Sequence, residues 1–88
     1  MMNANKAREV YMAHYENIRK MNEEKAKNFC ENVLNGRILS ASRDGQLGIN
    51  VELAEITNAD VSTGAVIGYL KANDYDARVN GIFLKINW

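Results

Sequence analysis

The residue best suited by type to general acid–base work is the single histidine, which sits among tyrosines in the run Tyr11-Met12-Ala13-His14-Tyr15. Such catalysis also needs a nucleophile and an orienting carboxylate at a fixed spacing, and none is placed around His14. Cys30, the only cysteine, could act as a nucleophile if nearby cations held it as a thiolate. It falls instead in the middle of an apolar helical period, where a thiol is a small buried hydrophobe. One cysteine and one histidine cannot build a Cys/His zinc set or an intrachain disulfide. The carboxylates Glu52, Glu55, Asp60, Asp74 and Asp76 are spread over different predicted elements without calcium-loop spacing. Phosphate-cradling glycine motifs of the GxxxxGK(S/T) or GxGxxG kind do not occur. The sequence therefore offers no catalytic residue, no metal site and no cofactor motif, and it reads as a non-enzymatic protein.

The elements that carry these side chains are set by hydrophobic period. From Asn3 to about Lys20, good helix formers hold Ala7, Tyr11, His14, Ile18 and Met21 at alternating spacings of four and three, which predicts a first helix. Asn22 followed by Glu23 and Glu24 is a helix-start signal. A turn is thus expected around residues 20–22, with a second helix to about residue 42; one bent helix over 4–42 is the alternative. The second helix has the apolar face Ala26, Phe29, Cys30, Val33, Leu34, Ile38 and Ala41, and Gly45 is placed to end it.

After Gly45 the period becomes two. Leu47, Ile49, Val51 and Leu53 alternate with Gly48, Asn50, Glu52 and Ala54, which predicts a strand with one buried face. Asp60 is placed to cap a helix through about Ala72 that turns Val66, Ile67 and Leu70 inward, with Asn73 and Asp74 ending it. Asn80-Gly81 between two alternating runs predicts a hairpin with a type I′ turn, pairing Val79 with Ile82 and Asp76 with Lys85. Its apolar face would hold Tyr75, Ala77, Val79, Ile82, Leu84, Ile86 and Trp88. The fold class is α+β: two N-terminal helices, then strand, helix and hairpin forming a three-stranded sheet with one face covered by helices. At 88 residues this is one domain, in which residues 1–21 form a helix available as an interaction arm and residues 22–88 form the compact core.

Two binding surfaces follow from this arrangement. The stripe Tyr11, His14, Tyr15, Ile18 and Met21 on the first helix is apolar but aromatic and thioether-rich, the composition of interface centres rather than of an aliphatic core. It is read as a protein-contact face, the alternative being that this helix packs on the same core as the others; self-association through it, as a dimer or small ring, is expected because small cores gain from added interface. The alternative is a small winged-helix-like nucleic-acid binder, since helices followed by a hairpin have that outline. Its phosphate contacts would come from Lys6, Arg8, Arg19, Lys20, Lys71 and Arg78. Charge argues against it: eleven basic side chains meet eleven acidic ones, and five glutamates are interleaved with the N-terminal basic set. No apolar run approaches the ~20 residues of a membrane span, so the chain is expected to be soluble and intracellular, without a membrane partner. Nothing in the pattern points to a small-molecule ligand.

From Ile38 to Trp88, the segments GQLGINVEL, VIGYLKANDYDARV and GIFLKINW resemble the strand, helix and hairpin unit of small tailed-phage proteins of unassigned role. The resemblance covers somewhat over half the chain. It implies a viral accessory or virion-assembly protein that acts by binding, in the host cytoplasm or in the virion, and it assigns no functional residue.

Overall fold

One helical rod runs from residue 4 to residue 43 in the computed structural model, which describes residues 1–88. The rod is α1 (Ala4–Phe29), a single π-helical turn (Cys30–Leu34) and α2 (Asn35–Arg43). The break predicted at residues 20–22 is absent, and the chain adopts the single-helix alternative. Asn22 is interior to α1, because Ile18 to Met21 tolerate helix and no glycine or proline forces the backbone out before it. The cap in use is Asn3, whose side-chain oxygen accepts the Lys6 backbone N–H at 2.9 Å.

The π turn answers a mismatch of period. Ala26, Cys30, Leu34 and Ile38 recur every four residues, and in an α-helix of 3.6 residues per turn each such step drifts about 40°, or about 120° over three steps. A π turn takes up an extra residue and cancels part of that drift. All four side chains are accordingly buried, whereas Val33, predicted on the same face, is 39% exposed.

Beyond the rod come β1 (Gly48–Glu52), α3 (Leu53–Asn58), α4 (Thr63–Ala72), β2 (Asp76–Asn80) and β3 (Phe83–Asn87). The strands form an antiparallel sheet in the order β1-β3-β2. Helices cover one face: α2 and α3 lie against β1, and α4 against β2 and α1. The core joins Leu34 and Ile38 of the rod, Val51, Ile56, Val66 and Leu70, and Ala77, Leu84 and Ile86 of the hairpin. Tyr75 and Trp88 close its edge with rings packed edge to face, 6.3 Å apart.

Four local expectations are corrected. The strand is shorter than Leu47 to Leu53, because Leu47 is exposed and Leu53 opens the unpredicted helix α3. Asp60 does not cap α4; it takes a left-handed φ of 57° in the turn, and Ser62 is the cap, accepting the Ala65 N–H at 3.3 Å. The hairpin pairs Asn80 with Phe83 and turns through Gly81 and Ile82. Of these four residues only Gly81 has a positive φ, 63°, which suits a type II′ turn with glycine first; a type I′ turn here would also require a positive φ at Ile82, and the predicted one would have required it at Asn80. The register slips by two residues, so every side chain keeps its predicted face while its partner changes. Ala77 now lies opposite Ile86 and Lys85 opposite Arg78, and Asp76 instead accepts from Arg78 Nε on its own strand at 3.0 Å. Val79 and Ile82, at the end of the sheet, stay exposed rather than joining the core.

The molecule measures 63 × 23 × 19 Å, with a radius of gyration of 16.7 Å against about 12 Å for a compact domain of this length. The rod sets the long axis, since its residues at 1.5 Å each span about 60 Å. Only its second half is covered by the rest of the fold. Residues 4–21 project from the head as a helical arm about 27 Å long.

Candidate interaction surface

Every residue of the arm is exposed except the half-buried Glu16. The stripe predicted from sequence stands intact on it: Tyr11 is 64% exposed, Tyr15 51%, Ile18 41% and Met21 51%, and Ala7 and His14 are open as well. The Tyr11 and Tyr15 rings, one helical turn apart, stack with centroids 6.5 Å apart, which fixes a broad aromatic step in the stripe. The sequence reading did not single out Val10, although it lies four residues before His14 and flanks the same stripe at 53% exposure. The period that found the stripe could have found it.

The arm's charges keep to the helix itself. Lys6 meets Glu9 at 3.8 Å and Arg19 meets Glu16 at 2.9 Å, both one turn apart along the surface. Glu9, Glu16 and Glu23 recur at seven-residue spacing on the side away from the stripe. The arm is therefore two-faced, with a charged outer side and an apolar side that meets nothing.

Along the part of the rod that the head covers, polar contacts clamp it. Lys25 Nζ reaches Asp60 at 3.0 Å, the Tyr69 hydroxyl donates to Glu31 at 2.9 Å, and Arg37 forks onto both oxygens of Glu55 at 2.7 and 2.9 Å. The Glu31 hydrogen bond, with burial second, raises the Tyr69 hydroxyl pKa above its ordinary value. Burial, with the Glu31 carboxylate adding to it, pushes the Cys30 thiol up to about 11, and the side chain packs within the core.

Two concave regions lie on the head. A groove of ≈ 910 Å³ runs between α1 and α4, walled by Arg19, Lys20, Glu23, Glu24 and Lys27 and floored by Gly64, Ala65 and Gly68. A smaller one of ≈ 460 Å³ sits on the open face of the sheet among Gln46, Asn50, Lys85 and Asn87. The first mixes both signs of charge and the second holds one ammonium among amides, so neither assembles a reactive constellation. No three side chains among His, Cys, Asp and Glu come close enough to share a metal ion, and no helix is long and apolar enough to cross a membrane.

The six cations of the nucleic-acid alternative are not brought together. Lys6, Arg8, Arg19 and Lys20 are on the arm, Lys71 is in the last turn of α4, and Arg78 is on the open face of β2. Lys6, Arg19 and Arg78 are each paired with a carboxylate. The chain matches no protein-family model, no curated protein and no solved structure.

Proposed function

We propose that the chain is a non-catalytic binding protein acting by protein–protein contact, with the arm as its contact surface and a second copy of the chain as its partner. One observation supports this reading above the rest: an apolar stripe of Tyr11, His14, Tyr15, Ile18 and Met21 held clear of the head on a helix that nothing covers. A lone helix of this length is marginal in water, and exposed contiguous apolar surface on a small protein marks an interaction site. The sequence likeness over residues 38–88 adds a phage accessory or virion-assembly setting to the proposal.

Light scattering tests the surface. The wild type should be larger than a monomer at micromolar concentration, and Tyr11→Glu with Ile18→Glu should be a monomer with an intact circular dichroism spectrum, because carboxylates are costly to desolvate at an interface centre. A wild type that is monomeric at every concentration refutes it. Co-purification from the native source with mass spectrometry tests the setting.

A second reading, the winged-helix-like nucleic-acid binder, is favoured by one feature. Helices α3 and α4 are separated by only residues 59–62 and are followed by the β2–β3 hairpin, the order of a helix-turn-helix with a wing. Against it, α4 would be the reading helix and carries Lys71 as its sole cation. DNA or RNA binding that is tight at ~50 mM salt and collapses by ~200 mM would favour this reading over the first.

A further inference from the structure

We infer that two copies pair through their arms in antiparallel orientation, the tip of each arm ending beside the other copy's head. This rests on the self-association proposed above and adds its geometry. Tyr11, Tyr15, Ile18, Asn22, Ala26 and Phe29 follow one another by steps of four, three, four, four and three, so they share one face of the rod. Ala26 and Phe29 are buried, and α4 packs against α1. The head therefore stands on the side toward which the stripe points. A parallel pair joined stripe to stripe would drive the second rod, beyond Met21, into the space that α4 fills. An antiparallel pair meets no such obstacle: residues 4–21 of one copy lie along residues 21–4 of the other, and the heads stand at opposite ends.

Side-chain size selects the same arrangement. With the two exposed arms in full overlap, Ile18 faces Ala7 of the second copy, Met21 faces Ala4 of the second copy, and Tyr11 meets His14 of the second copy near the centre. Large residues fall opposite small ones, as interdigitating layers require. A parallel in-register pair would set Ala4 on Ala4 and Ala7 on Ala7 and leave a gap at that end. Charge is compatible as well, because Glu9, Glu16 and Glu23 all point away from the seam. Arg8, at its edge, comes over the Tyr15 ring of the second copy, a favourable place for a guanidinium.

Introduced thiols read the register directly, since Cys30 is buried and does not compete. Ala7→Cys and Ile18→Cys proteins are oxidised separately and as an equimolar mixture, after light scattering has established the dimer. The covalent dimer is expected in the mixture alone, at the share that random exchange of subunits gives, and Ala4→Cys with Met21→Cys should repeat the result one layer along. A disulfide in either protein by itself overturns the proposal in favour of a parallel pair. A dimer that gives no disulfide in either mixture overturns the register. Small-angle scattering gives a second reading: the antiparallel pair has a longest dimension of about 100 Å, and a dimer no longer than the 63 Å of one chain also overturns it. A wild type that never dimerises fails earlier, at light scattering, and refutes the self-association reading instead.

Discussion

Residues 22–43 and residues 4–21 belong to one unbroken helix, yet the first stretch buries Ala26, Phe29, Cys30, Leu34, Ile38 and Ala41 and the second buries nothing. Helix propensity does not separate them. What separates them is the kind of apolar residue on the facing stripe. The head's stretch presents small and aliphatic side chains that fit between helices and sheet, together with a π turn that keeps them aligned. The arm presents tyrosine and histidine, which carry polar atoms beside their rings, and the polarisable thioether of methionine, and these side chains stay exposed to water. Local periodicity thus marks both stretches as amphipathic, and side-chain chemistry tells which one the chain covers for itself.

The comparison breaks most visibly under truncation. Leu34→Ala removes a fully buried side chain at the junction of the rod and the sheet layer and should cost about 2–5 kcal/mol in urea unfolding. Ile18→Ala, the same kind of change on the same helix, should leave the urea midpoint unmoved at protein concentrations low enough for both proteins to be monomeric, where no interface contributes to stability. An equal loss from the two would mean that the arm packs on the head in solution.

A second break tests the sheet end of the head. A Cβ added at Gly48 would run into the Asn87 side chain and come within 3.1 Å of the Ile86 carbonyl oxygen. Gly48→Ala should therefore cost about 1–3 kcal/mol as an overpacking change. Removing the amide with Asn87→Ala in the same protein should recover part of that loss, and the part left over reports the backbone contact. An alanine tolerated without cost in the parent protein would show that Asn87 swings freely aside.

Much of this was legible in sequence, and the failures have physical causes. The period of two over residues 48–52 and the alternation on both sides of Asn80-Gly81 identified all three strands and their inward faces, because a slip of two residues preserves parity. The turn itself could not be read, since Asn-Gly favours type I′ only where both residues accept a positive φ, and here Ile82 takes the second turn position. Helix α3 is six residues long with Ile56 alone fully buried, too short to show a period. The helix start at Asn22 was a true local signal overridden by continuity, because a capping residue ends nothing when its predecessors remain helical. The stripe from Tyr11 to Met21 was visible as a pattern. That it stands clear of the head is a tertiary fact, which depends on where α4 meets the rod.

A smaller effect of opposite sign sharpens the contrast between local and tertiary causes. Gly36 lies in the first turn of α2 within the continuous rod, and a Cβ there would meet no atom within 4 Å. Gly36→Ala should raise the head's stability by about 0.5–1 kcal/mol, because glycine carries an entropic penalty in a helix and no close packing here requires it. A loss of stability would show that the rod needs flexibility beside its π turn.

The smallest effect expected lies in the ion pair that ties the rod to α3. The Arg37 guanidinium, donating two hydrogen bonds to Glu55, holds that carboxyl below its ordinary value, and both side chains remain substantially exposed, at 44% and 41%. A carboxylate whose folded pKa is depressed stabilises the fold at every pH above its unfolded value, about 4.3 for glutamate, and loses that contribution as pH falls through the lowered folded value. The urea midpoints of wild type and Glu55→Gln should therefore differ slightly at neutral pH and converge only once pH has fallen through the lowered folded value, where both proteins carry an uncharged group at this position. High salt should narrow the neutral-pH gap, as it does for exposed pairs. The arm supplies the control, because its pair of Arg19 with Glu16 lies within one helical turn and ties it to nothing else. Glu16→Gln should leave the head's midpoint unchanged at any pH, and a shift there matching that of Glu55→Gln would mean that arm and head unfold as one unit.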